Sequence, residues 1–255
     1  VEAHDLESLI TWMTANSIDL CVAGEESYLV TEAGLANRCK DVGIPCWGPP
    51  FAAAQMEASK EFAKEFMQRH NIPTGDAAGC ADIDEAQAAI AGKYPTVLKF
   101  DGLAAGKGVA VCPNKETADE FLNEVMVERR FGPGRLLVEE CLVGPEISIF
   151  AAVSGSDYLI LTPARDYKRI GEGDEGPNTG GMGAVASRRL ADPELMKRID
   201  DEIVAPTVAG LEKDELNYVG FLYFGLMLTE SGPKIIEYNC RFGDPECQAA
   251  MPLIS

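Results

Sequence analysis

The stretch 235–246, IIEYNCRFGDPE, points most directly to a fold and a chemistry. A short apolar run, Ile235 and Ile236, leads into Glu237, Asn239 and Arg241. Residues two apart on a strand share a face. The spacing therefore predicts one wall bearing a carboxylate, an amide oxygen and a guanidinium, with Ile236, Tyr238, Cys240 and Phe242 packing on the other side. Oxygen ligands of this kind suit a hard divalent cation, and a guanidinium suits a phosphoryl group in transfer. Taken alone, the alternation also fits a half-exposed edge strand with incidental polar residues.

Working outward, the 255 residues are enough for one large core or two smaller ones, and 46% hydrophobic with 25% charged residues describes an ordinary globular protein. A net charge of −19 argues against nucleic acid or an anionic membrane as partner. It also means that anion chemistry must draw the 22 Lys and Arg together locally. The eight cysteines form no CxxC pair and lie mostly in apolar runs, so they read as small buried side chains in a reducing, cytoplasmic compartment. Only His4 and His70 are present, which argues against a zinc site and against histidine catalysis. No apolar run approaches the ~18 residues of a membrane span. The abrupt ends suggest a piece of a longer protein, and the oligomeric state is left open, a monomer being plausible.

The first ~50 residues alternate helix and strand signals: helix 6–14, strand 18–23, helix 28–42, strand 44–47. This pattern is the tail of a doubly wound parallel sheet. An amphipathic helix, 59–70, precedes an α+β section with strands near 74–80, 96–99, 109–112 and 135–139 and helices 84–91 and 116–126, for which Asp82 and Asn114 are caps. Segments 146–153, 158–164, 220–229 and 234–239 predict an antiparallel sheet crossed by helix 193–211. The polar, glycine-rich run between Lys168 and Gly183 is long enough to be a binding loop.

Residues 97–109 place a strand ending in Lys99 before the loop GLAAGKGV, which holds Lys107. Small residues let backbone N–H groups approach phosphate oxygens, and the two ammonium groups add point charges. The spacing departs from a P-loop and from the dinucleotide fingerprint, and the kinase signatures are missing. Unaided, the loop fits a plain glycine-rich hairpin equally well. Downstream, VEECLVGPEIS (138–148) could offer backbone groups to a nucleotide base and Glu146 to a ribose; alone it also fits an ordinary crossover with solvated acids.

In this order, KFDGLAAGKGV (99–109), DYKRIGEGDEGPNTGGMGA (166–184), GFLYFGLM (220–227) and IIEYNCRFGDPE (235–246) resemble the ATP-grasp ligases, and within them the phosphoribosylamine–glycine ligase family. The resemblance runs from about Ile18 to the end. It implies residues 1–55 as the last part of a Rossmann-like domain, 56–140 as the small ATP-grasp subdomain with a phosphate lid, and 141–255 as the large subdomain with the metal and substrate sites. It further implies an ATP-dependent carbon–nitrogen ligase of purine biosynthesis, joining glycine to 5-phosphoribosylamine through an acyl phosphate. By the resemblance, Lys60, Lys99, Gly106, Lys107 and Gly108 would hold ATP phosphates; Glu139 and Leu142 would meet adenine through their backbones and Glu146 the ribose. Glu237 and Asn239 would bind Mg²⁺ or Mn²⁺, with Arg241 and Lys107 acting on the transferring phosphate. Asp166, Lys168, Arg169, Asn178, Thr179, Gly180, Gly181 and Asp244 would enclose glycine and the ribosylamine. Three departures stand out. No acid lies in Gly225-Leu226-Met227-Leu228, where many ATP-grasp enzymes carry one. By the resemblance, the family's N-terminal glycine-rich segment, which contributes to the ribosylamine pocket, and its C-terminal domain are expected to be absent from this stretch. Gly24-Glu25-Glu26 stands where the family tends to have Gly-Pro-Glu. Another ATP-grasp carboxylate–amine ligase, or a truncated nucleotide-binding module, remains the alternative.

Overall fold

The structure, a computed structural model, describes residues 5–31, 33–102, 104, 107–173, 175–179 and 181–254, and of residues 169, 177 and 178 the backbone alone. The large sheet is built around Val219–Thr229, eleven apolar-rich residues. Its order is Ala184–Ala186, Ala164–Asp166, Glu146–Ser154, Val219–Thr229, Gly232–Asn239, with Asp157–Ile160 also pairing on Glu146–Ser154. These pairings are antiparallel, as the alternating patterns predict. The single strand expected over 158–164 is divided instead: it stops at Ile160 and resumes at Ala164. Pro163, in the gap, has no N–H to give to a ladder.

Register assigns the faces. Ser148 lies opposite Gly225 and Phe150 opposite Tyr223; Gly225 in turn lies opposite Glu237 and Tyr223 opposite Asn239. Cross-strand partners share a face, so one side of the sheet displays Ser148, Gly225, Tyr223, Glu237 and Asn239. The opposite side sends Ile147, Ile149, Phe224, Leu226, Ile235 and Tyr238 into the main core. Ile235 and Glu237 reach opposite faces because the pairing slips between Gly225 and Leu226, leaving Ile236 as an extra residue. Such a bulge re-aims the side chains that follow it. The packing face expected for this stretch is thereby corrected. Tyr238 and Cys240 are in the main core, Ile236 sits in the bulge, and Phe242 crosses to the site face, stacked on Phe150 at 4.6 Å.

The smaller sheet runs Ala77–Cys80, Arg135–Glu140, Thr96–Asp101, Val109–Cys112, all antiparallel. Helices Ile83–Ile90 and Lys115–Leu122 cover one side, burying Ala86, Ile90, Ala118, Phe121 and Leu122 against Leu98, Leu136 and Val138. Their caps form as the sequence predicts: Asp82 accepts from the Glu85 N–H at 2.9 Å and Asn114 from that of Thr117 at 3.0 Å. The amino-terminal segment contributes a parallel pair, Cys21–Val22 with Cys46–Trp47. The helix expected over 28–42 is two pieces, Glu26–Leu29 and Leu35–Asp41, divided before Gly34, whose φ of +58° favours glycine. This segment shares the main core with the large sheet through Leu29, Leu35, Ala53 and Met56. Helix Lys60–Arg69 adds Phe66 and Met67 to it. No helix among the described residues is long and apolar enough to cross a membrane.

Candidate active site between the two sheets

Helix Lys60–Arg69 begins where the small sheet meets the large one. Ser59 caps it, accepting from the Phe62 N–H at 3.1 Å. The Asp101 carboxylate, at the end of Thr96–Asp101, accepts from the N–H groups of Lys60 and Glu61 at 2.5 and 3.2 Å. An anion at a helix start is favourable because the first turn's N–H groups lack partners. The Lys60 ammonium donates to the Gly102 carbonyl at 3.0 Å, so helix and phosphate-type loop are tied together.

One turn on, Lys64 enters the interior and shares the Glu139 carboxylate with Lys99, at 3.3 and 3.1 Å. Lys64 also donates to Thr74 Oγ1 and the Gly75 carbonyl, and Lys99 to the carbonyl of Ile236 at the bulge. Thr74 in turn donates to the carbonyl of Ile235 at 2.8 Å. Two lysines from the small lobe therefore reach the strand that carries Glu237. Burial pulls the Lys64 ammonium below its usual range, opposed by the charge of Glu139.

Glu237 faces Lys168 at 3.6 Å. Burial pushes its carboxyl up, yet the ammonium groups of Lys168, Lys99 and Lys60 outweigh that and hold it below the usual range. Lys168 is raised, chiefly by Glu237, while burial lowers Lys60 against the attraction of Glu237 and Asp101. Gly225 makes room here: a Cβ on it would stand 3.1 Å from the Glu237 Cγ and 3.3 Å from the Tyr223 hydroxyl. The Asn239 side-chain N–H₂ donates to the Tyr238 carbonyl at 2.9 Å, leaving its oxygen as the acceptor on offer.

Arg241 lies beyond the end of Gly232–Asn239 and does not continue the wall. Its guanidinium meets Glu26 at 2.9 Å and Glu57 at 3.2 Å. Buried Glu57 also accepts from the Cys240 N–H at 2.6 Å. Burial lifts its carboxyl to about 7 against the pull of Arg241.

Among the other predicted residues, Asp166 has a buried Oδ1 without a hydrogen-bond partner among the described residues, close to where a Gly181 Cβ would lie. Its carboxyl is raised by burial and by Glu246. Thr179 folds back on Lys168, its N–H and hydroxyl both donating to the Lys168 carbonyl, at 2.7 and 2.8 Å. The Gly108 carbonyl accepts from the Phe100 N–H at 2.7 Å. Lys107 is exposed and forms no ion pair among the described residues. Leu142 is half-buried in the linker between the sheets, and Glu146 is exposed at the start of its strand. Asp244 is exposed and accepts from Gln248 at 2.8 Å. Gly106 and Gly180, and the side chains of Arg169 and Asn178, lie outside the described residues. The backbones of Arg169 and Asn178 are register partners in a hairpin, a structured element where the sequence suggests only a loop.

Sequence reasoning misses Lys64, Glu57 and the Glu139 carboxylate. It also misses Glu246, which accepts from Ser148 Oγ at 3.2 Å. Glu57 left a trace as the lone charge of FAAAQMEA, whereas Lys64 stands among Lys60, Glu61 and Glu65 in KEFAKEFM and is marked only by falling on the buried stripe of Ala63 and Met67. A charge in an apolar stripe is a buried charge in need of a partner.

Two lobes meeting at a lysine-rich seam beside an oxygen-bearing strand define an ATP-grasp protein, and solved structures agree. A biotin carboxylase domain from Hydrogenobacter thermophilus, in complex with MgADP, has the same fold at 22% identity and a TM-score of 0.73, covering 95% of this chain and 52% of that one. A phosphoribosylamine–glycine ligase from Thermotoga maritima matches at 36% identity with a TM-score of 0.77, covering 88% of this chain and 55% of that one. The family descriptions narrow the class: residues 58–247 match the phosphoribosylglycinamide synthetase ATP-grasp (A) domain and residues 1–57 its N domain. The chain belongs to the phosphoribosylglycinamide synthetase family. A phosphoribosylamine–glycine ligase from Chlorobaculum tepidum is 44% identical over all of this chain, and the human trifunctional purine biosynthetic protein adenosine-3 is 42% identical. The chain spans 60% of the first relative's length and 25% of the second's.

Proposed function

We propose that this chain carries the ATP-dependent joining of glycine to 5-phosphoribosylamine, giving glycinamide ribonucleotide, ADP and phosphate, in the cytoplasmic synthesis of purines. The observation that supports it most is the gathering of Lys60, Lys99 and Lys168 around Glu237 in a chain of net charge −19. So strong a local reversal of sign suits a triphosphate. The lobes 56–140 and 141–255 would close on the nucleotide. Lys60, Lys99 and Lys107 would hold phosphate oxygens together with backbone N–H groups of residues 106–108, while Glu139, Leu142 and Glu146 would seat the nucleoside.

Glu237 and Asn239 offer a carboxylate and an amide oxygen on one face, with Gly225 leaving space beside Glu237, and such donors fit Mg²⁺ or Mn²⁺. That cation, when bound, would supply charge neutralisation to the phosphates. Glycine would be held near Asp166 and the 178–181 segment, its carboxylate aimed at the γ-phosphorus. The carboxylate oxygen bonds to that phosphorus as ADP departs. The ribosylamine nitrogen then attacks the acyl carbon, losing a proton as phosphate leaves. Arg241, steadied by Glu57 and Glu26, would face the moving charge. Such chemistry is chiefly positioning and electrostatics, so a site without histidine suffices.

Positional isotope exchange in ATP labelled at the β,γ-bridge tests the first half-reaction. Scrambling of label that requires glycine but not the amine is the expected result. Scrambling without glycine, or with other amino acids but not glycine, would overturn the assignment.

A further inference from the structure

We propose that Cys21, Cys39 and Cys46 form a three-sulfur site for a thiophilic monovalent metal ion, Cu(I). The phosphate chemistry above uses none of the three. Cys21 and Cys46 are register partners on adjacent parallel strands, so their side chains leave the sheet on the same side. Cys39 arrives from helix Leu35–Asp41. The turn that follows holds it there: the Ile44 N–H donates to the Cys39 carbonyl and the Cys21 N–H to that of Pro45, both at 2.9 Å. The three sulfurs lie within 4.8 Å of one another. A metal about 2.3 Å from each corner of a planar triangle separates sulfurs by about 4.0 Å, so small side-chain rotations complete the site.

Ligand type and number select the ion. Thiolates are soft donors and favour Cu(I) among the first-row metals. Zinc asks for four ligands, whereas no histidine nitrogen or carboxylate oxygen joins the three sulfurs at that spacing among the described residues. Cys39 is buried, while Cys21 and Cys46 are half-buried and leave one side open for the ion to enter. Buried Leu29 comes close to the cluster: its Cδ2 and the Cys46 Sγ would each stand 3.4 Å from a Cβ on Gly48. Binding exchanges thiol protons for the metal and releases them to solvent, with no change of oxidation state.

The test is anaerobic titration of the full chain with Cu(I) against bicinchoninate, with X-ray absorption on the loaded protein. The expected result is one tightly held Cu(I) per chain with three sulfur neighbours. Cys46→Ser and Cys21→Ser should each weaken it by more than about 100-fold, since lost outer-sphere partners alone cost 10- to 100-fold. Cys141→Ser, at a half-buried thiol outside the cluster, should leave it intact. A two-sulfur spectrum of the wild-type protein would overturn the proposal without recourse to any variant. So would equal affinity of the wild type and a Cys46→Ser protein whose circular dichroism is native.

Discussion

Two lysine–glutamate groups flank the seam between the sheets, and they differ in exposure. At Glu139 one carboxylate serves Lys64 and Lys99, with side chains 5–6% exposed. At Glu237 the nearest cation, Lys168, stands off at 3.6 Å, and both side chains remain more than a third exposed. The first group is held by fixed partners: Thr74 and Gly75 take the remaining Lys64 protons, and Ile236 takes one of the two left on Lys99. The second is loose and open, and can exchange its partner for an incoming ion. Both leave positive charge in surplus: Lys64 is fully committed to the interior, whereas Lys168, and Lys99 through its remaining N–H, can turn toward a ligand. Fully partnered charge sets the frame, and charge with N–H groups to spare does the binding.

Removing the carboxylate from each group breaks the comparison most directly. Glu139→Gln strands two buried ammonium groups, and an uncompensated buried charge costs about 3–5 kcal/mol. Denaturant unfolding should register a loss of that size; a change under about 1 kcal/mol would mean that solvent reaches the cluster and the contrast fails. Glu237→Gln should behave oppositely. Its half-exposed pair contributes at most about 1 kcal/mol to stability, but Mg-ATP-dependent, glycine-dependent phosphate release should fall roughly 100-fold, the usual effect of losing one preorganised electrostatic group. Equal turnover of wild type and variant would remove Glu237 from the site.

How much of this was legible in the sequence follows from which forces are local. Period-two and period-3.6 patterns act over a few residues, so both sheets, most helices and the caps at Asp82 and Asn114 could be read directly. The Glu237–Asn239 wall was legible for the same reason. The place of Arg241 off that wall was not, because the bulge at Ile236 and the end of the strand at Asn239 depend on how Tyr223–Leu226 of the preceding strand pair with it. Glu57 shows the same limit. Its helix carries a single acid among alanines, and only tertiary packing brings the Arg241 guanidinium to it. The three cysteines at 21, 39 and 46 lack any metal-binding spacing, and converge only because a parallel pair and a helix end meet. Pro163 is the exception, a local stop within an apolar run that divides the strand by chemistry legible in the sequence itself.

The Glu57–Arg241 pair sharpens the contrast further, because it combines deep burial with a link to the open site. Its carboxyl rises from an ordinary 4.5 to about 7 in the folded chain. With the folded value above the unfolded one, the native state binds the proton more tightly between those limits. The stability so gained is complete below about pH 4.5 and is lost as pH climbs through about 7. Glu57→Gln removes this proton linkage while keeping the shape and an acceptor for the Cys240 N–H. Unfolding free energies of the two proteins, measured from pH 4.5 to 8, should therefore change relative to each other by about 3 kcal/mol, the wild type losing ground as pH rises. Other titrating groups cancel in the difference. Parallel curves would show that Arg241 keeps Glu57 ionised throughout, and the pair would then belong with the permanently charged cluster at Glu139 rather than between the two.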